Sequence, residues 1–152
     1  MNKIRILIIG LGRIGKIHLA NLQAKGEVEI VGICDPTDEA KVFSNKAGLT
    51  FYQKDFKDIA SEVETDAIVI CSPTDTHANY VSIAAKKGID VFCEKPLDLS
   101  LKKVKQVLKI VKESKIKLML GFNRRFDSEF QSVKEKIVNG HIGDIHTIKI
   151  TS

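Results

Sequence analysis

The stretch Lys3-Ile4-Arg5-Ile6-Leu7-Ile8-Ile9-Gly10-Leu11-Gly12-Arg13-Ile14-Gly15 decides the fold of this chain. An apolar run of strand character leads straight into G-x-G-x-x-G, and the residues beyond the third glycine take up helical spacing. A glycine triplet alone is a weak signal. Here Asp35 also follows, about twenty residues on, at the end of the next apolar run, Val28-Glu29-Ile30-Val31-Gly32-Ile33-Cys34. Gly10 lets the chain turn sharply out of the strand, Gly12 leaves room for a pyrophosphate against the backbone, and Gly15 lets the helix approach the sheet. The N-terminus of that helix, with Arg13 and Ile14 in its first turn, offers unpaired N–H groups and partial positive charge to phosphates. The pattern predicts a bound dinucleotide.

Asp35 selects which one. A carboxylate at the end of the second strand accepts hydrogen bonds from both hydroxyls of the adenosine ribose and repels a 2′-phosphate. The residues that follow, Pro36, Thr37, Asp38 and Glu39, supply no Arg or Lys to neutralise such a phosphate. NAD is expected rather than NADP. The alternative makes the glycines an ordinary strand-to-helix turn and Asp35 a helix N-cap.

Apolar runs and helical patterns alternate along the chain. Strands are expected at 3–9, 28–34, 67–71, 90–93 and 117–120, with helices near 13–25, 37–48, 74–87 and 100–114. This alternation predicts an α/β fold, a Rossmann-type doubly wound parallel sheet covered on both faces. Ligands of such sheets sit beyond the carboxyl ends of the strands. Gly10, Asp35, Ser72-Pro73-Thr74, Glu94-Lys95-Pro96 and Asn123-Arg124 all fall at that edge. In the last part, 129–138 reads as a helix with Phe130, Val133 and Ile137 on one face. It breaks at Asn139-Gly140, and 145–150 is strand-like with few candidates to pair with. A dinucleotide-binding domain over 1–122 and a connecting helix and first strand over 123–152 are expected. The terminal strand is expected to pair across a symmetry axis, fold back or remain disordered.

Composition sets the outer limits. The chain has 152 residues, 43% hydrophobic and 28% charged, which suits one domain with a full core. Met1-Asn2-Lys3 has no signal-peptide layout and no apolar stretch reaches membrane-span length, so a cytoplasmic protein with no membrane partner is expected. The net charge of +5 comes mostly from dispersed lysines. Lys102, Lys103, Lys105, Lys109 and Lys112 punctuate Leu101, Val104, Leu108 and Val111, which reads as one buried helix face with a solvated basic back. Aromatics are not interleaved with the lysines, so nucleic acid is not an expected partner. Cys34, Cys71 and Cys93 are odd in number and form no C-x-x-C pair, so they read as small buried hydrophobes. No metal site is expected: His141 and His146 form no constellation with each other.

Lys95 is the leading catalytic candidate. It follows the strand Asp90-Val91-Phe92-Cys93 and precedes Pro96, which restricts its backbone toward an extended form. Beside a nicotinamide cation, like charge and desolvation favour a neutral amine that can accept, relay or donate a proton. Its other reading is a solvated loop lysine paired with Glu94. His77 lies where Ser72-Pro73-Thr74 opens a helix that Thr74 or Asp75 could cap. It reads either as a group near the nicotinamide or as a helix-start histidine meeting a carbonyl. His18, three residues past Gly15, is explained by helix packing. Arg124 and Arg125 suit either a phosphate or polyol clamp or the salt bridges of a helix–loop junction.

Gly10-Leu11-Gly12-Arg13-Ile14-Gly15 with His18, Cys71-Ser72-Pro73-Thr74 with His77, Glu94-Lys95-Pro96, and Gly121-Phe122-Asn123-Arg124-Arg125-Phe126-Asp127 resemble, in order, the glucose–fructose oxidoreductase/inositol dehydrogenase/rhizopine-catabolism (Gfo/Idh/MocA) family. The Gly-Phe-Asn-Arg-Arg-Phe-Asp stretch is most similar to the inositol 2-dehydrogenase branch. The resemblance implies NAD(P)-dependent oxidation of a polyol or sugar hydroxyl to a ketone, which with the Asp35 reading means hydride transfer to NAD, and myo-inositol is the expected substrate. It implies that Lys95 is catalytic and touches substrate, that the Lys95–Pro96 bond is cis, and that Arg124 reaches toward substrate or nicotinamide. It also places Gly10, Gly12, Arg13, Ile14, Asp35, Ser72, Pro73, Thr74, His77 and Glu94 around NAD. Members carry a second, α+β domain that closes the site, supplies an Asp and a His, and drives homo-oligomerisation. Nothing here matches that domain, so the chain is expected to be the NAD-binding part of a longer dehydrogenase. A non-catalytic NAD-binding module, or an enzyme of another sugar or sugar acid, are the rival expectations.

Overall fold

β1 (Ile4–Ile9) lies inside the sheet, and its side chains alternate between two separate cores. Leu7 and Ile9 point to one core, Ile6 and Ile8 to the other, as a strand covered on both faces requires. The structure is a computed structural model that describes residues 3–151. Met1 and Asn2 of the N-terminal lead, and Ser152 at the end of the final segment, lie outside the described residues. Two compact units are present, Met1–Gly121 and Phe122–Ser152.

In the first unit β1 is followed by α1 (Arg13–Gln23), β2 (Val28–Cys34), α2 (Asp38–Lys46), β3 (Phe51–Tyr52), α3 (Phe56–Ile59) and β4 (Ala67–Ile70). Then come α4 (Thr74–Lys86), β5 (Asp90–Cys93), α5 (Leu101–Ser114) and β6 (Leu118–Leu120). The strands form one parallel sheet in the order β3-β2-β1-β4-β5-β6. The order reverses between β1 and β4, and a ligand crevice is expected at that switch point. One core joins β4 and β5 to Ala78, Val81 and Ala84 of α4 and Val107 of α5. The other sets Leu19 of α1 and Ala40 of α2 against Ile33 and Val69. This is the doubly wound parallel sheet that the alternation implied.

Element boundaries move by a residue or two from the sequence reading, but some differences are substantive. β3 and α3 were not anticipated, being only two and four residues long. On α5 the buried position is Val107, while Leu101 and Leu108 are exposed. The apolar face is therefore rotated from the one read through Leu101, Val104, Leu108 and Val111: partly buried Val104 and Val111 flank Val107.

The second unit holds a short 3-10 helix (Asn123–Phe126) and α6 (Ser128–Val138), capped by Asp127, whose carboxylate accepts from the Glu129 and Phe130 N–H groups. The strand expected at 145–150 is absent: those residues are exposed and join no ladder. A strand exists only through a neighbour's N–H and C=O groups, and among the described residues all six strands belong to the first unit.

Candidate cofactor and active site

Strand register brings the sequence-predicted residues into one row. Ile9 stands opposite both Cys34 and Ile70, Ile70 opposite Cys93, and Cys93 opposite Leu120. The next residue on each strand is therefore, across the sheet, Asp35, Gly10, Cys71, Glu94 and Gly121. Strands lie about 4.8 Å apart, so the row is about 19 Å long, room for an extended two-part ligand. Backbone hydrogen bonds close this edge: Gly10 N–H donates to the Cys34 carbonyl, Cys71 N–H to Ile9, Glu94 N–H to Ile70 and Gly121 N–H to Cys93.

The glycine turn has the shape a pyrophosphate needs. Gly10 has φ +89°, and a Cβ there would meet the Ser72 nitrogen at 2.6 Å. A Cβ on Gly15 would come 2.1 Å from the Gly10 carbonyl oxygen, so the third glycine is what lets α1 start so close to the turn. A Cβ on Gly12 would meet nothing within 4 Å. That open space lies over the start of α1, which has no side-chain cap and no acidic residue in its first turn. By contrast, α2, α3, α5 and α6 are capped by Thr37, Asp55, Ser100 and Asp127. The N–H groups at Arg13 and Ile14 are left for an anion. The residues present fit a dinucleotide.

Asp35 is buried beside this turn and is not a helix cap; Thr37 is. Its Oδ2 accepts from Leu11 N–H at 2.7 Å, and its Oδ1 accepts from Thr37 N–H at 2.8 Å and from the Thr37 hydroxyl. Three of about four acceptor positions are thus engaged internally, which leaves one on Oδ2 rather than the pair expected for two ribose hydroxyls. Gln53 braces the loop from β3, donating to the Pro36 carbonyl and to Asp38 Oδ1. The structure also brings a cation that the run Pro36–Glu39 lacks. Lys16 of α1 lies 2.7 Å from Glu39 and over the Phe43 ring, and is held by that pair.

On the other side of the switch point His18 has a partner the sequence reading did not give it, and His77 takes the carbonyl-meeting one of its two readings. His18 does more than pack in its helix: Nε2 lies 2.8 Å from Glu94 Oε1, and the ring edge meets Phe92. The side chains are 25% and 21% exposed, so the pair borders the crevice. Glu94 is wedged further by Gly121, where a Cβ would come 3.1 Å from its carboxyl atoms. With Glu94 held by His18, Lys95 Nζ makes no ion pair among the described residues and projects from an exposed position. The Lys95–Glu94 pair of its other reading is not formed among the described residues; a weak contact runs from the Lys95 backbone N–H to Glu94 Oε2, 3.3 Å. The Lys95–Pro96 bond is cis.

His77 is only 1% exposed, which sets its ring apart from the open crevice and argues against its place among the expected NAD ligands. Its Nδ1 lies 2.8 Å from the Pro96 carbonyl oxygen and its Nε2 2.8 Å from that of Ser72. Neither Thr74 nor Asp75 caps α4; Pro73 precedes it with no side-chain cap, so this helix start is open as well. Thr76 donates its hydroxyl to the Pro73 carbonyl, so the Ser72 hydroxyl donates to Thr76 Oγ1. In the second unit Arg124 pairs with Asp127 at 3.1 Å and lies over the Phe130 ring. The thiols of Cys34, Cys71 and Cys93 are free, and burial pushes each up to about 12, so they stay protonated at neutral pH.

The sequence reading gave His18 to helix packing and missed its contact with Glu94. A signal existed: Gly15 must face the sheet, and His18, one turn on, shares its face.

Comparison with known proteins agrees with this geometry. The family model described as "Oxidoreductase family, NAD-binding Rossmann fold" matches residues 4–122. The inositol 2-dehydrogenase of Rhizobium meliloti (strain 1021) is 39% identical over 150 residues, covering 98% of this chain and 45% of that protein. The myo-inositol 2-dehydrogenase of Thermotoga maritima is 40% identical over 149 residues, with 97% and 45% covered. The crystal structure of scyllo-inositol dehydrogenase from Lactobacillus casei with bound NAD(H) and scyllo-inositol superposes with a TM-score of 0.86 at 31% identity, covering 95% of this chain and 43% of that one. The chain thus spans about half the length of the curated relatives it matches. Among the described residues no helix is long and apolar enough to cross a membrane.

Proposed function

The chain belongs to the Gfo/Idh/MocA family of oxidoreductases with an NAD-binding Rossmann fold, and from that membership we propose that it is the cofactor half of a dehydrogenase that oxidises a cyclic polyol, myo-inositol in the first instance. The observation that carries this reading is the exposed Lys95, without an ion pair among the described residues, at the same sheet edge as the open glycine turn. NAD supplies the hydride acceptor when bound. Gly10, Gly12 and the N–H groups at Arg13 and Ile14 hold its pyrophosphate, and Asp35 holds its adenosine ribose. Ser72, Pro73, Thr74 and Glu94 shape the nicotinamide end.

Lys95 binds the hydroxyl to be oxidised and takes its proton as the carbinol carbon gives up hydride. Water or a relay then carries that proton away, which leaves a ketone, NADH and one proton. The family resemblance supports Arg124 as a second substrate contact, and 123–152 as the link into a substrate domain through which the complete protein self-associates.

The test uses the complete protein that contains this chain, assayed for NADH formation against a panel of inositols, sugars and sugar acids. Turnover with an inositol well above the rest is expected. Lys95→Ala should lower kcat about 10²-fold or more and leave the Kd for NADH within about twofold. NADH binding with no turnover of any polyol would make the chain a binding module, and full turnover by the Lys95→Ala variant would remove Lys95 from the chemistry.

A further inference from the structure

The β4–β5 ladder ends at Ile70 and Cys93, with one last bond from Glu94 N–H to the Ile70 carbonyl. Two residues later stands Pro96, which has no N–H to continue it. The two loops beyond this point, Ser72–Thr74 after β4 and Lys95–Pro96 after β5, therefore lack a backbone tie where the site needs rigidity. The ring of His77 fills the gap. It comes from the first turn of α4, is almost wholly buried, and spans from the Ser72 carbonyl to the Pro96 carbonyl with 2.8 Å at each end.

We propose that His77 is the positioning residue of Lys95: by holding the Pro96 carbonyl it fixes the turn on which Lys95 stands. The inference rests on Lys95 being the proton-handling residue. His77 itself touches neither cofactor nor substrate. Both of its partners are carbonyl acceptors, so a ring nitrogen holds its carbonyl only when it carries a proton. The turn that carries Lys95 depends on the Nδ1 side. The Nε2 side holds the neighbouring loop.

Two amide variants separate the two ends. In His77→Asn the side-chain NH₂ lies near the Nδ1 position and keeps the Pro96 link. In His77→Gln it lies near the Nε2 position and keeps only the Ser72 link. The first readout is hydrogen exchange in this chain, followed by NMR at the Lys95 amide and, as a reference for global opening, at Leu7 and Ile8 of β1. The Gln variant should exchange about tenfold faster at Lys95 with the reference amides unchanged, and the Asn variant should stay within about twofold of the parent. In the complete protein the Gln variant should lose kcat with KM for NAD held, and Asn should restore it. Equal behaviour of Asn and Gln, or unchanged Lys95 exchange in the Gln variant, would overturn the proposal. Failure of every polyol to be oxidised would instead remove the dehydrogenase reading, and the exchange data would still decide whether His77 holds this turn.

Discussion

Exchanging Gly12 and Gly15 for alanine, one at a time, should separate binding from stability within a single motif. Gly12 has φ −68° and ψ −168°, extended backbone that alanine also adopts, and its Cβ would stand in open space. Gly12→Ala therefore reduces the freedom of the unfolded chain without a clash, which stabilises by about 0.4–1 kcal/mol. At this length that raises Tm by about 1–4 °C. The same methyl stands where the pyrophosphate must approach. If overpacking costs about 1–3 kcal/mol there, NADH affinity falls about 5- to 150-fold. Gly15→Ala does the reverse. Its Cβ would lie 2.1 Å from the Gly10 carbonyl oxygen, a backbone atom in a turn already at φ +89°, so α1 must move off the sheet. A loss of about 1–3 kcal/mol lowers Tm by about 2–12 °C. Thermal melts and titrations with NADH, followed by nicotinamide fluorescence, read both effects. A Gly12→Ala chain that binds NADH like the parent, or a Gly15→Ala chain that melts like it, would refute the reasoning.

Gly121→Ala places a methyl 3.1 Å from the Glu94 carboxyl atoms, so the carboxylate must give by a few tenths of an ångström, which perturbs its contact with His18. The His18 ring resonances should move, and NADH affinity should drop severalfold with Tm nearly unchanged. At high pH the three thiols and Tyr80, all held up to about 12 by burial, make the fold labile. The unfolded chain loses these protons first, near pH 9–10, so their contribution is complete below pH 9 and is lost as pH rises toward 12. Urea unfolding at pH 8 and pH 10.5 should show the decline, and a thiol reagent at pH 8 should label the chain only on unfolding. At low pH the Arg5 guanidinium, 2.9 Å from Asp66, holds that carboxyl down at about 2. Its contribution is present above about pH 4 and is lost as pH falls through 2; in Asp66→Asn this part of the acid limb should disappear from the unfolding curve.

What was legible in the sequence was local. The glycine turn, the carboxylate of Asp35 and the strand-to-helix alternation each lie within a few residues of their cause, whereas the strand order was not read from the sequence. Long-range pairings were not legible. His18 meets Glu94 across 76 residues and His77 meets Pro96 across 19, and neither contact leaves a periodicity to read. β3 is two residues long, too short for any alternation to register. On α5 the spacing of Leu101 and Leu108 suited a buried face, yet the helix turns Val107 inward, because packing against α4 rather than the helix's own spacing decides which stripe is covered. The run 145–150 has strand composition but no strand neighbour, and composition alone makes no ladder.

The central claim, that the crevice between β1 and β4 takes NAD and that Asp35 selects it, is tested most directly by titrating this 152-residue chain with NADH and NADPH in parallel, read by nicotinamide fluorescence. Saturable NADH binding, with NADPH weaker by at least about tenfold, is the predicted result. No binding of NADH, or equal affinity for the two, would contradict it.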